Sequence, residues 1–275
     1  MGNLRSALAM LVLPVAACGS EKNPGIDAPT QIIEDAPPDT KMIDAGPVYD
    51  FTCLGNSAPT DGTKTVTLSG LVRALDVMGI PPMPSIGPLE DAEVEVCVGN
   101  CEDDNQLGTS NTMADGTFTT DAIATQGSPP SLDAYLRLSK TGHRTTTIHP
   151  ASPFTMDVAD IPAVLLTPTA FGAGELLLGV DQNDTTNGLL ALGVTDCANT
   201  PIPDATVTVT QGGNAVGQVI DAGGLGAMYG GAYLVYNVPE GATEVGAMYN
   251  GMTLRTHTIN VLKAQTAATQ IRPGF

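Results

Sequence analysis

Two stretches of this chain, roughly 110 residues apart, follow one pattern: PLEDAEVEV from Pro88 to Val96 and PIPDATVTV from Pro201 to Val209. Each is preceded by an apolar run, LSGLVRAL in the first copy and LLALGVTD in the second. Each is followed by a run, a glycine turn (Gly142, Gly251) and a polar Thr/Arg/His run, DAYLRLSKTGHRTTTI and EVGAMYNGMTLRTHTI. Self-similarity at this period means duplicated domains rather than a solenoid. Within the copies the side chains alternate. Val66, Leu68 and Val72 face one way, with Thr65, Thr67 and Arg73 opposite. Val94, Val96 and Val98 face inward, with Glu93, Glu95 and Cys97 outward. Leu136 and Leu138 oppose Tyr135, Arg137 and Ser139. Period two with a polar outer face marks half-buried antiparallel strands, so the fold class read here is all-β.

Asp115-Gly116, ahead of Thr117-Phe118, is a hairpin turn signal. This order of elements resembles the carboxypeptidase regulatory-like domain: a first strand, a P-[LI]-x-[DG]-A-x-V-x-V strand, a D-G-x-[FY] turn and strand, and a final Gly turn with a strand. The second copy has Gly231-Ala232-Tyr233 where the first has Asp115-Gly116-Thr117-Phe118, and Gly142-His143 replaces the usual Gly-aromatic. The resemblance covers most of residues 64–155 and 187–275. It implies tandem Ig/prealbumin-like antiparallel β-sandwiches that serve as accessory modules. Its motifs are turns and core valines, so it carries over no catalytic residue and no peptide hydrolysis.

Between the copies, Thr167-Pro168 supplies an N-cap and a first helical residue, and Gly179 supplies an end. This predicts a short linking helix over about 168 to 179. The expected organisation is a signal peptide over 1–17, a disordered tether over 18–50, a first sandwich over 51–165, the helix and loop over 166–186 and a second sandwich over 187–275.

The chain opens with one positive charge at Arg5 and an apolar run from Ala7 to Ala17, too short to span a bilayer. It leads into Val15-Ala16-Ala17-Cys18. This resembles the bacterial lipobox, which implies that Cys18 becomes the first mature residue and carries acyl chains. The competing readings are an N-myristoylation signal at Gly2 and an ordinary cleaved signal. From Gly19 to Asp50 the text is acidic, with prolines at 24, 29, 37, 38 and 47. Few apolar groups and like charges cannot offset the entropy of ordering such a segment. It reads as a tether that lifts the folded part off the bilayer. Gly19 stands where inner-membrane lipoproteins carry Asp, so the resemblance implies the outer membrane of the cell envelope.

With a net charge of −18 and only 11 Lys and Arg, the chain lacks the clustered cations that nucleic acid requires. Beyond Cys18, the four cysteines Cys53, Cys97, Cys101 and Cys197 are even in number, as expected for disulfides in an oxidising compartment. Three pairings exist. The tight spacing of Cys97 and Cys101 favours 97–101 with 53–197, a pairing that requires the two sandwiches to touch. A zinc site on these cysteines is the rival reading. The acidic clusters Glu102 to Asn105 and Asp181 to Asp184 lack EF-hand spacing and read as solvated turns rather than calcium loops. Lys140-Thr141-Gly142 matches one β-lactamase motif, but no Ser is followed by Lys three residues on. His143, His149 and His257 read as exposed polar residues. No catalytic residue, metal or cofactor is expected. The resulting function is a non-catalytic lipoprotein, with the membrane as a partner through its anchor and an envelope protein or a glycan as a further partner. The alternative is a carbohydrate-binding surface protein. Zero Trp leaves Tyr229, Tyr233, Tyr236 and Tyr249 as its local aromatic cluster.

Overall fold

The computed structural model describes residues 48–57, 62–78, 83–101, 105–225 and 230–274. Cys18, the apolar leader and the body of the tether lie outside the described residues, as do Glu102 to Asp104 and Tyr229.

The first module contains β1 (Thr65–Val66), β2 (Leu68–Met78), β3 (Met83–Pro88), β4 (Glu93–Cys97), β5 (Gln106–Asn111), β6 (Thr117–Thr119), β7 (Ile123–Ala124), β8 (Tyr135–Ser139), β9 (Thr146–His149) and β10 (Val158–Leu166). Helix α1 (Pro168–Leu178) follows. The second module contains β11 (Asn187–Val194), β12 (Thr206–Gln211), β13 (Asn214–Ala215), β14 (Gln218–Asp221), β15 (Ala232–Pro239), β16 (Gly241–Tyr249), β17 (Met252–Thr253), β18 (His257–Val261) and β19 (Thr266–Ile271).

The internal repeat of the sequence is a repeat of pairing. In the first module β4 lies between β5 and β8, and β8 continues to β9; in the second, β12 lies between β13 and β16, and β16 continues to β18. Likewise β2 is flanked by antiparallel β6 and parallel β10, and β11 by antiparallel β15 and parallel β19. The turns repeat atom for atom. The Val72 N–H donates to the Gly116 carbonyl (2.8 Å) and the Leu89 N–H to the Val72 carbonyl (3.0 Å). Val194 donates to Gly231 (2.7 Å) and Ile202 to Val194 (2.8 Å) in the same way. Gly116 and Gly231 both sit at φ 80°, where an L side chain is strained. A Cβ there would come within 2.4 Å of the Val72 oxygen or 2.8 Å of the Val194 oxygen. That close approach explains why the second copy keeps the glycine after losing the aspartate before it. The Asp115-Gly116 turn is not the expected hairpin within one sheet: β6 pairs with β2, not with β5, so the turn carries the chain from one sheet to the other.

Each module has its own core. Val72, Val94, Val96, Phe118, Leu136 and Leu138 are buried in the first. Leu192, Val209, Tyr233, Val235, Val245 and Ile259 are buried in the second. Each such side chain contributes about 1.5–3 kcal/mol by burial. A third cluster joins the modules: Leu75, Val164 and Leu166 from the first pack with Ala170 of α1 and with Leu189 and Tyr236 of the second. Leu75 shares the face of β2 that the alternation assigned to solvent alongside Arg73. The second module and α1 cover that face.

The two modules also share a sheet. β19 pairs in parallel with β9, Thr266 opposite Thr146 through Thr269 opposite His149. The result is an eight-stranded sheet in the order β14-β15-β11-β19-β9-β8-β4-β5. An unpaired strand edge invites aggregation, and here the last strand of the second module caps the last hairpin strand of the first.

Helix α1 follows its sequence signals. Thr167 Oγ1 accepts from the Ala170 N–H (3.2 Å), Pro168 opens the first turn, and Gly179 closes the helix at φ 66°. Thr167 Oγ1 also donates to Asp76 Oδ1 on β2 (2.7 Å). Replacing Thr167 with Ala removes the cap and the tie to β2, and is expected to cost about 1 kcal/mol in urea unfolding.

Candidate functional site: the cleft, the seam and the N-terminal fastening

The second face of the first module's sheet, which runs to the seam between modules, is more polar and more buried than period-two alternation predicts. Glu95, expected outward, is buried and grips Arg137 directly across the β4/β8 pair. Arg137 donates from Nε to Oε2 (2.6 Å) and from Nη2 to Oε1 (2.8 Å), and Gln106 Nε2 also donates to Oε1 (2.7 Å). The Glu95 hydrogen bonds hold the Arg137 guanidinium charged and raise its pKa. Cys97, also expected outward, is fully buried with Cys101 and Tyr135.

Two of the three histidines are likewise not the exposed polar residues expected. His149 is 8% exposed and stacks on Tyr135, the ring centroids 4.7 Å apart. Its Nε2 lies 3.2 Å from Thr147 Oγ1. His257, on β18, places Nε2 2.8 Å from Thr269 Oγ1 on β19. Burial, followed by the neighbouring His257, pushes His149 down to about 4. Burial, followed by Arg255, pushes His257 down to about 4. Both rings are therefore neutral at neutral pH. His143 stays near its own turn, Nδ1 3.3 Å from the Thr141 carbonyl.

Arg144 reaches the linking helix and loop and the chain just before β19. Its guanidinium donates to both oxygens of Asp184 and to the Gln265 carbonyl (3.1 Å). It also lies 4.3 Å over the ring of Phe171 in α1. Asp184 is thus the carboxylate of an ion pair between the first module and the linking loop. Asn183 Oδ1 caps the Thr185 N–H (3.1 Å), and the Asp181 carbonyl accepts from Asn237 Nδ2 (2.7 Å). Among the described residues no group of three or more His, Cys, Asp or Glu could hold a metal ion.

Beside the seam lies a cleft of about 430 Å³, within the size range of small-ligand sites. Ile148, Ala268 and Gly193 line it from the shared sheet, and Phe154, Ile161 and Pro201 line it from the surrounding chain. Its polar rim includes Gln270, which donates to Thr195 Oγ1 (2.8 Å). His149, its pKa lowered by burial, also lines the cleft.

The third feature is where the chain enters the fold. Cys53 is bridged to Cys197, and Cys97 to Cys101. The Asp50 N–H donates to Asp196 Oδ2 (2.9 Å) and the Cys197 N–H to the Asp50 carbonyl (2.9 Å). Tyr49 and Phe51 pack on Tyr249, the centroids 5.4 and 6.0 Å away. Tyr49 and Asp50, expected in the tether, and Phe51 to Cys53, expected in the first sandwich, are therefore attached to the second module. Apolar rings and a paired cysteine outweigh the acidic, Pro-rich composition just before them. Of the expected tyrosine cluster, Tyr233 and Tyr236 are buried in different cores, and the Tyr233 hydroxyl donates to the Ala205 carbonyl (2.8 Å). Those two rings offer no face to a sugar.

Among the described residues no helix is long and apolar enough to cross a membrane. No family model matches the chain, and no curated protein matches it. Similar solved structures include the Bacillus anthracis TIE protein, at 12% identity and a TM-score of 0.23, over 75% of this chain and 33% of that one. The chain thus spans about a third of that protein's length. The shaft pilin spaA from Lactobacillus rhamnosus GG is similar at 10% identity and a TM-score of 0.23, over 76% and 96%. A putative cell adhesion protein from Bacteroides ovatus is similar at 8% identity and a TM-score of 0.22, over 77% and 92%. TM-scores this low carry no role across.

Proposed function

We propose that this protein is a non-catalytic lipoprotein of the cell envelope, held at the outer membrane by acyl chains on Cys18. In this reading residues 18–47 are the tether, and the two fused carboxypeptidase regulatory-like modules are the part displayed for binding or structural work. The observation that supports it is the fastening of Tyr49 to Cys53 on the second module. A chain arriving from a membrane anchor meets a disulfide, two hydrogen bonds from backbone N–H groups and three packed rings within residues 49–53 and their partners. Tension on the tether is then borne by a covalent bridge rather than by the strands of the first module.

The test is metabolic labelling with an alkynyl palmitate in cells expressing the full chain. The wild type is expected to take up label and to sediment with membranes. The Cys18→Ser variant is expected to lose both properties. A wild type that remains unlabelled overturns the lipoprotein reading.

A further inference from the structure

We infer that the β9/β19 seam is an acid-sensitive latch, opened by protonation of His149 and His257, with the Cys53–Cys197 bridge keeping the opened modules together. The geometry places two buried histidines at one short strand pairing, His149 held by Thr147 Oγ1 and by the Asn260 backbone and His257 by Thr269. Thr269 stands opposite His149 in the β19/β9 register, and its hydroxyl meets His257 Nε2 at 2.8 Å. His149 is sealed on its other side by the Tyr135 ring. The strand pairing here is short, four residues from Thr266 to Thr269. It is also the only ladder, among the described residues, that joins the two modules.

The charged and titratable groups around the pair do not favour two imidazolium ions. Tyr135 on β8 is neutral, its hydroxyl pKa raised by burial. Arg255, just ahead of β18, is cationic and acts on His257. Asp133 and Asp160 line cavities that also include His149, but both are exposed, and water screens their charge. Neither carboxylate is among the groups that act on either ring.

The direction follows from linkage. A histidine held near 4 in the closed seam but free to titrate near 6.5 once open binds its proton only in the open state between those values. Above pH 6.5 the pair has no effect on the latch. As pH falls from 6.5 towards 4, each ring favours opening by up to about tenfold per pH unit. The acidic surface does not oppose this locally, because its carboxylates lie in water. The latch rests on these contacts and is independent of whether Cys18 is acylated.

The test is hydrogen exchange of the disulfide-intact protein at pH 7.5 and 4.5, corrected for intrinsic rates. Amides that point across the seam, such as that of Thr266, which donates to the Thr145 carbonyl, are expected to lose protection by up to several thousand-fold at the lower pH, about 80-fold from each ring. Those of β4, β8, β12 and β16 are expected to keep it. The His149→Phe/His257→Gln variant, which retains a ring against Tyr135 and a partner for Thr269, is expected to keep seam protection at both pH values. If that variant does not fold, His257→Gln alone should reduce the loss to about 80-fold, the share of one ring. Seam protection that does not change with pH overturns the inference. So does a loss shared equally by all strands, or one unchanged in the folded variant.

Discussion

Replacing Cys53 and Cys197 together with Ser is expected to lower the unfolding free energy by about 5 kcal/mol, whereas the same change at Cys97 and Cys101 costs about 2 kcal/mol. The two bridges close loops of very different length, with sequence separations of 144 and 4. Cross-linking removes loop-closure entropy from the unfolded chain, and that entropy grows with the logarithm of loop length. The larger loop contains the whole first module, so the unfolded chain gains the freedom of two separate halves when the bridge is lost. The variant also releases Asp50 from Asp196 and Phe51 from Tyr249, because the bridge holds the entering chain against both. Urea unfolding of the two double variants against wild type measures the difference. Equal losses from the two bridges would show that the long loop is already ordered in the unfolded chain.

Arg144→Ala is expected to cost about 3 kcal/mol, the lower end of the range for breaking a buried ion pair. The Arg144 side chain is 7% exposed, while that of Asp184 is 40% exposed, so the orphaned carboxylate recovers much of its hydration. What is lost is the two-pronged grip, the bond to the Gln265 carbonyl and the guanidinium over Phe171. Arg144→Lys should recover less than half of this, since an ammonium cannot make a planar fork or lie flat on the ring. A double-mutant cycle with Asp184→Asn should give a coupling of about 1–2 kcal/mol. Full additivity would mean that the pair contributes nothing as a pair.

The features legible in the sequence were those set by local spacing. Val94, Val96, Leu136 and Leu138 lie in the first core as the alternation assigned them, because neighbouring side chains on a strand must point to opposite faces. Helix α1 begins at the predicted proline and is capped by the predicted glycine, because capping chemistry involves only residues a few positions apart. The repeated PLEDAEVEV and PIPDATVTV segments place Asp91 and Asp204 at φ 53° and 59°, the same turn in both copies. The favoured disulfide pairing was legible because only three residues separate Cys97 from Cys101, which leaves Cys53 and Cys197 for each other.

Only the tertiary structure decided what covers the second face of each strand. Glu95, Cys97 and His149 sit at positions that alternate outward, and all three are buried. The element that buries His149 comes from β18 and β19, more than a hundred residues later. Edge pairing is equally invisible in sequence, since every strand edge offers the same N–H and C=O groups and no side chain identifies the partner. The join of β9 to β19, the pairing of Arg144 with Asp184 and the placement of both histidines in the seam all follow from that one contact. The sequence by itself determined two sandwiches of one pattern and favoured the cysteine pairing that the structure shows. The tertiary structure decided that the two share a sheet, because burying Leu75, Val164 and Tyr236 against one another removes apolar surface that neither module could cover alone.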